Sequence, residues 1–189
     1  MSPFEYIVVL ISIIIGLGIT TLLTGLANII KNFRKVKVYT PYMIWIVLAF
    51  ILHVYEWWET YSLIHIKNWN LPTFLYIVLY PISLFILANL LNPTLKKGNY
   101  NLREIYFRQH SGFFSCMIIL ALLAILQNMT IGGYSWVSQF PQMILVIIVS
   151  SFLIFKIRNT HLHLALSVLL TLSMLSLLII TRNTLIIGE

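Results

Sequence analysis

From Tyr6 to Ile30 the chain runs without one charged side chain, far enough to cross a lipid bilayer as a single helix. A hydrocarbon core about 30 Å thick takes about 20 helical residues. Backbone polar groups at that depth have no water to bond, so a lone spanning segment must satisfy them within a helix. The run exceeds the apolar stretch of a secretory signal and lacks its basic start, so it is expected to be retained. Ser2, Pro3 and Glu5 mark the helix start as N-cap, first-turn proline and capping-box acid.

Five further apolar runs follow, and the expected spans are 4–30, 41–66, 71–92, 113–131, 141–155 and 161–180. Thr40-Pro41 and Asn70-Leu71-Pro72 open the second and third, while Gly132-Gly133 and residues 138–141 mark the turn before the fifth. The last two runs would alternatively form one re-entrant hairpin. Composition decides against a soluble reading: 60% hydrophobic and 9% charged residues compare with about 45–50% and about 25% in soluble domains. The expected fold is therefore all-α, a polytopic membrane bundle of about six transmembrane helices with short loops, forming one transmembrane domain over 1–189.

The net charge of +7 would suggest nucleic acid on a folded basic face. Here the cations sit in the gaps between apolar runs, so they read as topology signals and no nucleic-acid partner is expected. Lys31, Arg34, Lys35 and Lys37 occupy the first gap, Lys96, Lys97, Arg103 and Arg108 the third, and Lys156 and Arg158 the fifth. Only Lys67 and Arg182 fall on the other side. The positive-inside rule makes the first group cytoplasmic, with both termini outside and anionic lipid headgroups as partners of the loops. In the connector 93–112, Asn101 and Glu104 form a capping-box pattern. The short helix it opens, with Leu102, Ile105 and Tyr106 on one face, is expected to lie on the headgroups.

Residues that break the apolar pattern cluster in the first three spans. Ser12, Gly16, Thr20 and Thr24 recur every fourth residue, with Gly18, Thr21 and Gly25 as a neighbouring stripe. Small residues at that spacing let another helix backbone approach closely. They serve packing within the chain, a subunit interface in a homo-oligomer, or a pore-facing stripe. In the second span His53 falls near the midplane, Glu56 in the outer third, and Glu59 at the interface with Trp57, Trp58 and Tyr61. His53 and Glu56, three apart, share a helix face. Ionisable groups at such depth cost at least about 2.5–3.5 kcal/mol and usually face protein or water. A proton or cation path through His53, Glu56 and Glu59 is one reading, with histidine the side chain that switches charge near neutral pH. Structural burial and an aromatic belt are the other. Pro81 in the third span kinks the helix and leaves the Ile77 carbonyl free to accept from elsewhere. Gln127 and Asn128 in the fourth lie at the depth of Glu56 and would complete a polar lining.

Signatures of soluble chemistry are missing. The chain has no Asp, no HExxH and no GxSxG, and its one cysteine, Cys116, cannot form an intrachain disulfide. His161 and His163, two apart on a helix, make a poor metal pair. No catalytic residue, metal or cofactor is expected. A lipid-acting enzyme with His53 as base and Glu56 as acid is the remaining enzymatic alternative.

Phe4-Glu5-Tyr6 followed by Ser12-Ile13 and Gly16-Leu17-Gly18-Ile19-Thr20 resembles small multi-pass proteins of bacterial inner membranes. Trp57-Trp58, Leu102-Arg103, Tyr106-Phe107 and Phe113-Phe114 are similar too, so the resemblance covers the first two thirds of the chain. It implies a bacterial plasma membrane and carries over no activity and no site. Two functions fit the residues: a small homo-oligomeric ion or solute channel or permease, or a non-transporting sensor, anchor or scaffold for a partner protein.

Overall fold

The computed structural model describes residues 2–66, 68–93 and 100–180. Lys67, Lys96, Lys97 and Arg182 lie outside the described residues. The first helix, α1 (Pro3–Lys31), starts as its sequence dictates: Ser2 Oγ accepts from the Glu5 N–H at 3.2 Å, and the Ser2 N–H donates to Glu5 Oε2 at 2.9 Å. Its buried face runs Ile7, Ile11, Ile15, Gly18, Leu22, Gly25 and Ile29. Those steps of four and three are the spacing of a coiled-coil seam, which suits a helix that must pack along its whole length.

A 3-10 turn (Phe33–Lys35) and a two-residue strand, β1 (Val36–Lys37), lead to α2 (Thr40–Glu59), which tightens into a 3-10 segment over Thr60–His65. The N-cap of α2 is Tyr39 rather than the expected Thr40, and it works through its backbone carbonyl, which accepts from Tyr42 and Met43 at 3.0 and 3.3 Å. Asn70 caps α3 (Leu71–Leu90) by accepting from the Thr73 N–H at 2.9 Å. Strand β2 (Tyr100–Asn101) precedes α4 (Leu102–Thr130), and α5 (Phe140–Ile154) and α6 (Thr160–Ile180) complete the chain.

The fourth helix departs from the sequence expectation. The pattern of Asn101 and Glu104 does open a helix, with Asn101 Oδ1 accepting from Arg103 N–H and its amide donating to Glu104. That helix does not stop and lie on the headgroups, however. It continues unbroken to Thr130, 29 residues or about 44 Å at 1.5 Å per residue. Leu102, Ile105 and Tyr106 are buried against protein instead of lipid. The apolar face that suggested a membrane-surface helix is the core face of an extended spanning helix.

Helices α1, α2 and α3 pack on one another, α4 lies between α3 and α5, and α6 leans on α2. A large core runs through all six helices, with Leu22 and Ile29 as the α1 members, while a smaller isoleucine-rich one joins α1 to α3 around Ile11, Ile15 and Ile77. The three basic gaps converge at one end of the bundle. β1 pairs with β2 in parallel, Val36 opposite Tyr100 and Lys37 opposite Asn101, which ties the first gap to the third. Tyr106 of α4 reaches His163 of α6 at 2.9 Å, which ties the third to the fifth. All eight described Lys and Arg side chains are exposed at that end. At the opposite end Phe4 meets Tyr61 edge-on, and Tyr76 meets Thr130 at 3.1 Å. All six helices are long and apolar enough to cross a bilayer. The chain is a multi-pass integral membrane protein.

Candidate functional site

At the contact of α1 with α2, the imidazole of His53 is fully buried against Gly18. A Cβ at Gly18 would stand 2.6 Å from His53 Cδ2 and closer still to Nε2, so only glycine fits. Nδ1 lies 2.7 Å from the Ala49 carbonyl one turn back. A carbonyl only accepts, so Nδ1 carries the proton and Nε2 the lone pair. Nε2 has no hydrogen-bond partner among the described residues. An unpaired acceptor in a dry interior costs about 1–3 kcal/mol. Gly25, two turns along α1, receives Asn92 from the end of α3 in the same way, Oδ1 lying 3.0 Å from the site of a Cβ. The Gly18–Gly25 seam thus seats a polar side chain from each of two neighbours.

Glu56 is half-buried, one turn beyond His53, and lies within electrostatic reach of Tyr80 on α3 and of Glu59 on its own helix. Tyr80 directly precedes Pro81. His53, Glu56 and the proline region of α3 therefore belong to one wedge between α1, α2 and α3. Glu59 is half-buried where α2 tightens into its 3-10 segment, and Trp57 points outward with 53% exposure, as an interfacial belt residue does.

Gln127 and Asn128 occupy two separate places. Gln127 Nε2 donates to the Tyr76 carbonyl at 2.8 Å and lies 3.4 Å from that of Ile77, the carbonyl that Pro81 leaves without a helical donor. Asn128 donates to Gln139 Oε1 at 3.2 Å, and its carbonyl accepts from Tyr134 at 3.0 Å across the α4–α5 turn. In that turn Gly133 adopts φ +67°, which glycine supplies without strain.

The small-residue stripe of α1 splits in two. Gly18 and Gly25 face the core, whereas Thr20 and Thr24 are exposed and Ser12 and Gly16 half-buried. Nothing lies within 4 Å of a Cβ placed at Gly16. The stripe at four-residue spacing is thus the outward one. An apolar groove of about 400 Å³ runs between α2 and α6, from Phe50 to Trp58 on one wall and Leu175 to Leu178 on the other. Of its lining side chains, only those of Tyr55 and Trp58 carry a polar atom.

A second buried histidine site, at the basic end, escaped the sequence reading. His163 Nε2–H donates to the Ile157 carbonyl at 2.8 Å, which leaves Nδ1 to accept from the Tyr106 hydroxyl at 2.9 Å. His110 lies beside them, edge-on to His163 with ring centroids 5.5 Å apart and tilted against Phe114 at 4.6 Å. Tyr106, His110, Phe113 and Phe114 follow helical spacing, a visible signal that the boundary expected between the connector 93–112 and the span 113–131 divides. Among the described residues no three His, Cys, Asp or Glu side chains converge as a metal site.

No protein family, curated protein or solved structure matches the chain.

Proposed function

We propose that this protein is a small channel or permease for an ion or small solute, with the α1–α2–α3 wedge on its path. One observation carries the reading: a membrane-spanning helix buries His53 completely, leaves one ring nitrogen unpaired, and places half-buried Glu56 one turn further on. Packing alone would be served better by an apolar residue, since the lone nitrogen costs stability and is not offset locally. The outward stripe of Ser12, Gly16, Thr20 and Thr24 supports a homo-oligomer, because small residues let helices associate where lipid supplies no hydrophobic force. A bacterial inner membrane is the setting that the resemblance implies, and the charge distribution favours the basic end inward and both termini outside. Flux of labelled ions and small solutes into proteoliposomes, with wild type, His53→Ala and Glu56→Gln, tests the reading. Absence of flux for every small ion and solute tried rejects it.

The basic end favours a second reading, a sensor or scaffold. The β1–β2 pairing fixes a loop that presents Arg34 and Lys35 around Phe33, whose ring is 64% exposed. On that reading, neutralising Lys31, Arg34, Lys35 and Lys37 abolishes recovery of a partner, while His53→Ala leaves it intact.

A further inference from the structure

The contact between His53 and Gly18 restricts what can cross the wedge. Gly18 has no room for a single methyl group on the side facing the imidazole. One turn to either side along α1, Ile15 and Leu22 are each 1% exposed, so the contact is closed above and below by apolar side chains. A hydrated cation or a solute would have to part the two helices. A proton would not. It needs only a donor and an acceptor in reach, and the ring has both: a proton on Nδ1, held toward Ala49, and a lone pair on Nε2 with no protein donor.

We propose that the species moved is the proton, and that the His53 imidazole seated against Gly18 is the gate it crosses. The inference rests on the transport reading and narrows it. The Glu56 carboxyl, protonated from the end of the bundle where α1 begins, releases its proton to Nε2, leaving a carboxylate and an imidazolium. The imidazolium then turns about its Cβ–Cγ bond, gives the Nε2 proton to water on the far side, which becomes hydronium, and turns back. Nδ1 keeps its proton throughout, so the ring returns neutral in its starting tautomer. Glu56 takes a fresh proton from water on its own side, so one proton has crossed and no charge accumulates. The other titratable groups in electrostatic reach are Glu59 on α2 and Tyr80 on α3, with Tyr55, which lines the α2–α6 groove, acting on Tyr80. From Ile7 to Ile30, α1 contributes none.

The full chain in liposomes containing a trapped pH dye, energised by a potassium diffusion potential with valinomycin, tests this directly. Wild type is expected to acidify the lumen above protein-free liposomes, with sodium and potassium flux, measured without valinomycin, at background. His53→Gln keeps a polar amide but cannot carry a proton, and should reduce acidification to the protein-free level; Glu56→Gln should slow it. Wild-type selectivity decides the matter even if a variant fails to fold. Sodium, potassium or solute flux without proton flux overturns the proton gate and leaves the transport reading standing. Proton flux unchanged in a folded His53→Gln protein also overturns the gate. No flux of any species overturns both.

Discussion

The side-chain amide of Gln127 donates to the Tyr76 carbonyl across the α3–α4 contact at 2.8 Å, beside the Ile77 carbonyl that Pro81 deprives of its donor. A proline at this depth is tolerable because a neighbouring helix supplies the missing hydrogen-bond donor. Gln127→Leu should therefore destabilise the bundle by about 0.5–2 kcal/mol, the range for polar contacts between membrane helices. In a Pro81→Ala background the helix satisfies Ile77 itself, so the same change should cost less. Unfolding of the four proteins of this double-mutant cycle checks it; strictly additive losses would mean that Gln127 does not serve the proline.

Glycines two residues apart on α1 should respond in opposite ways. Gly18→Ala drives a methyl into His53 and should cost about 1–3 kcal/mol, as overpacking does. His53→Ala removes the obstruction, so the double variant should be more stable than the sum of the two changes predicts. Gly16→Ala meets nothing and should be neutral or stabilising by up to about 1 kcal/mol through helix propensity. Thermal unfolding in one detergent compares all four; equal losses at Gly16 and Gly18 would contradict the geometry.

How much of this was legible beforehand depended on whether the signal was local. Span number, the caps of α1 and α3, and the orphaned carbonyl at Ile77 all follow from runs, caps and one proline, each read within a few residues. What answers Ile77 is 50 residues away in α4, and no periodicity names it. The two glycine stripes of α1 are adjacent on a helical wheel, so spacing showed both while only the fold decided which one faces inward. The continuation of α4 was missed for a physical reason. An amphipathic turn with cations looks the same on a membrane surface as it does on a helix that projects from the bilayer and buries its apolar face against neighbouring loops. Spacing along α6 sets His163 beside His161, whereas its partners are Tyr106 and Ile157.

The Tyr106–His163–Ile157 chain should behave as a structural tie. Tyr106→Phe keeps the ring among its aromatic neighbours and removes only the donor to Nδ1, so the expected loss is about 1–3 kcal/mol for an acceptor left buried and unpaired. His163→Ala opens a void between Phe107, Phe114 and Phe152 and should cost more, about 2–5 kcal/mol by analogy with other large-to-small core changes. Proton or solute flux by whatever folded protein remains should be unchanged, since neither residue touches the α1–α2–α3 wedge. A flux defect in stable Tyr106→Phe would bring the basic end into the path.

The basic end should make stability depend on lipid charge. Eight exposed cations converge there with one acid, Glu104, among the described residues, while Glu5, Glu56 and Glu59 lie toward the other end. Each Lys or Arg near an anionic surface contributes about 1 kcal/mol, and salt screens the attraction within a Debye length. Wild type in phosphatidylglycerol nanodiscs should therefore melt higher than in phosphatidylcholine, and the difference should shrink as salt is raised. Changing Lys31, Arg34, Lys35 and Lys37 to Gln removes half of those cations and should remove about half of the difference. The β1–β2 pairing bears on the outcome, because it holds the first loop against α4 and limits how far the four side chains can splay from the headgroups. A variant with the full wild-type difference would show that Arg103, Arg108, Lys156 and Arg158 alone meet the lipid. The first loop would then be free to engage a protein instead.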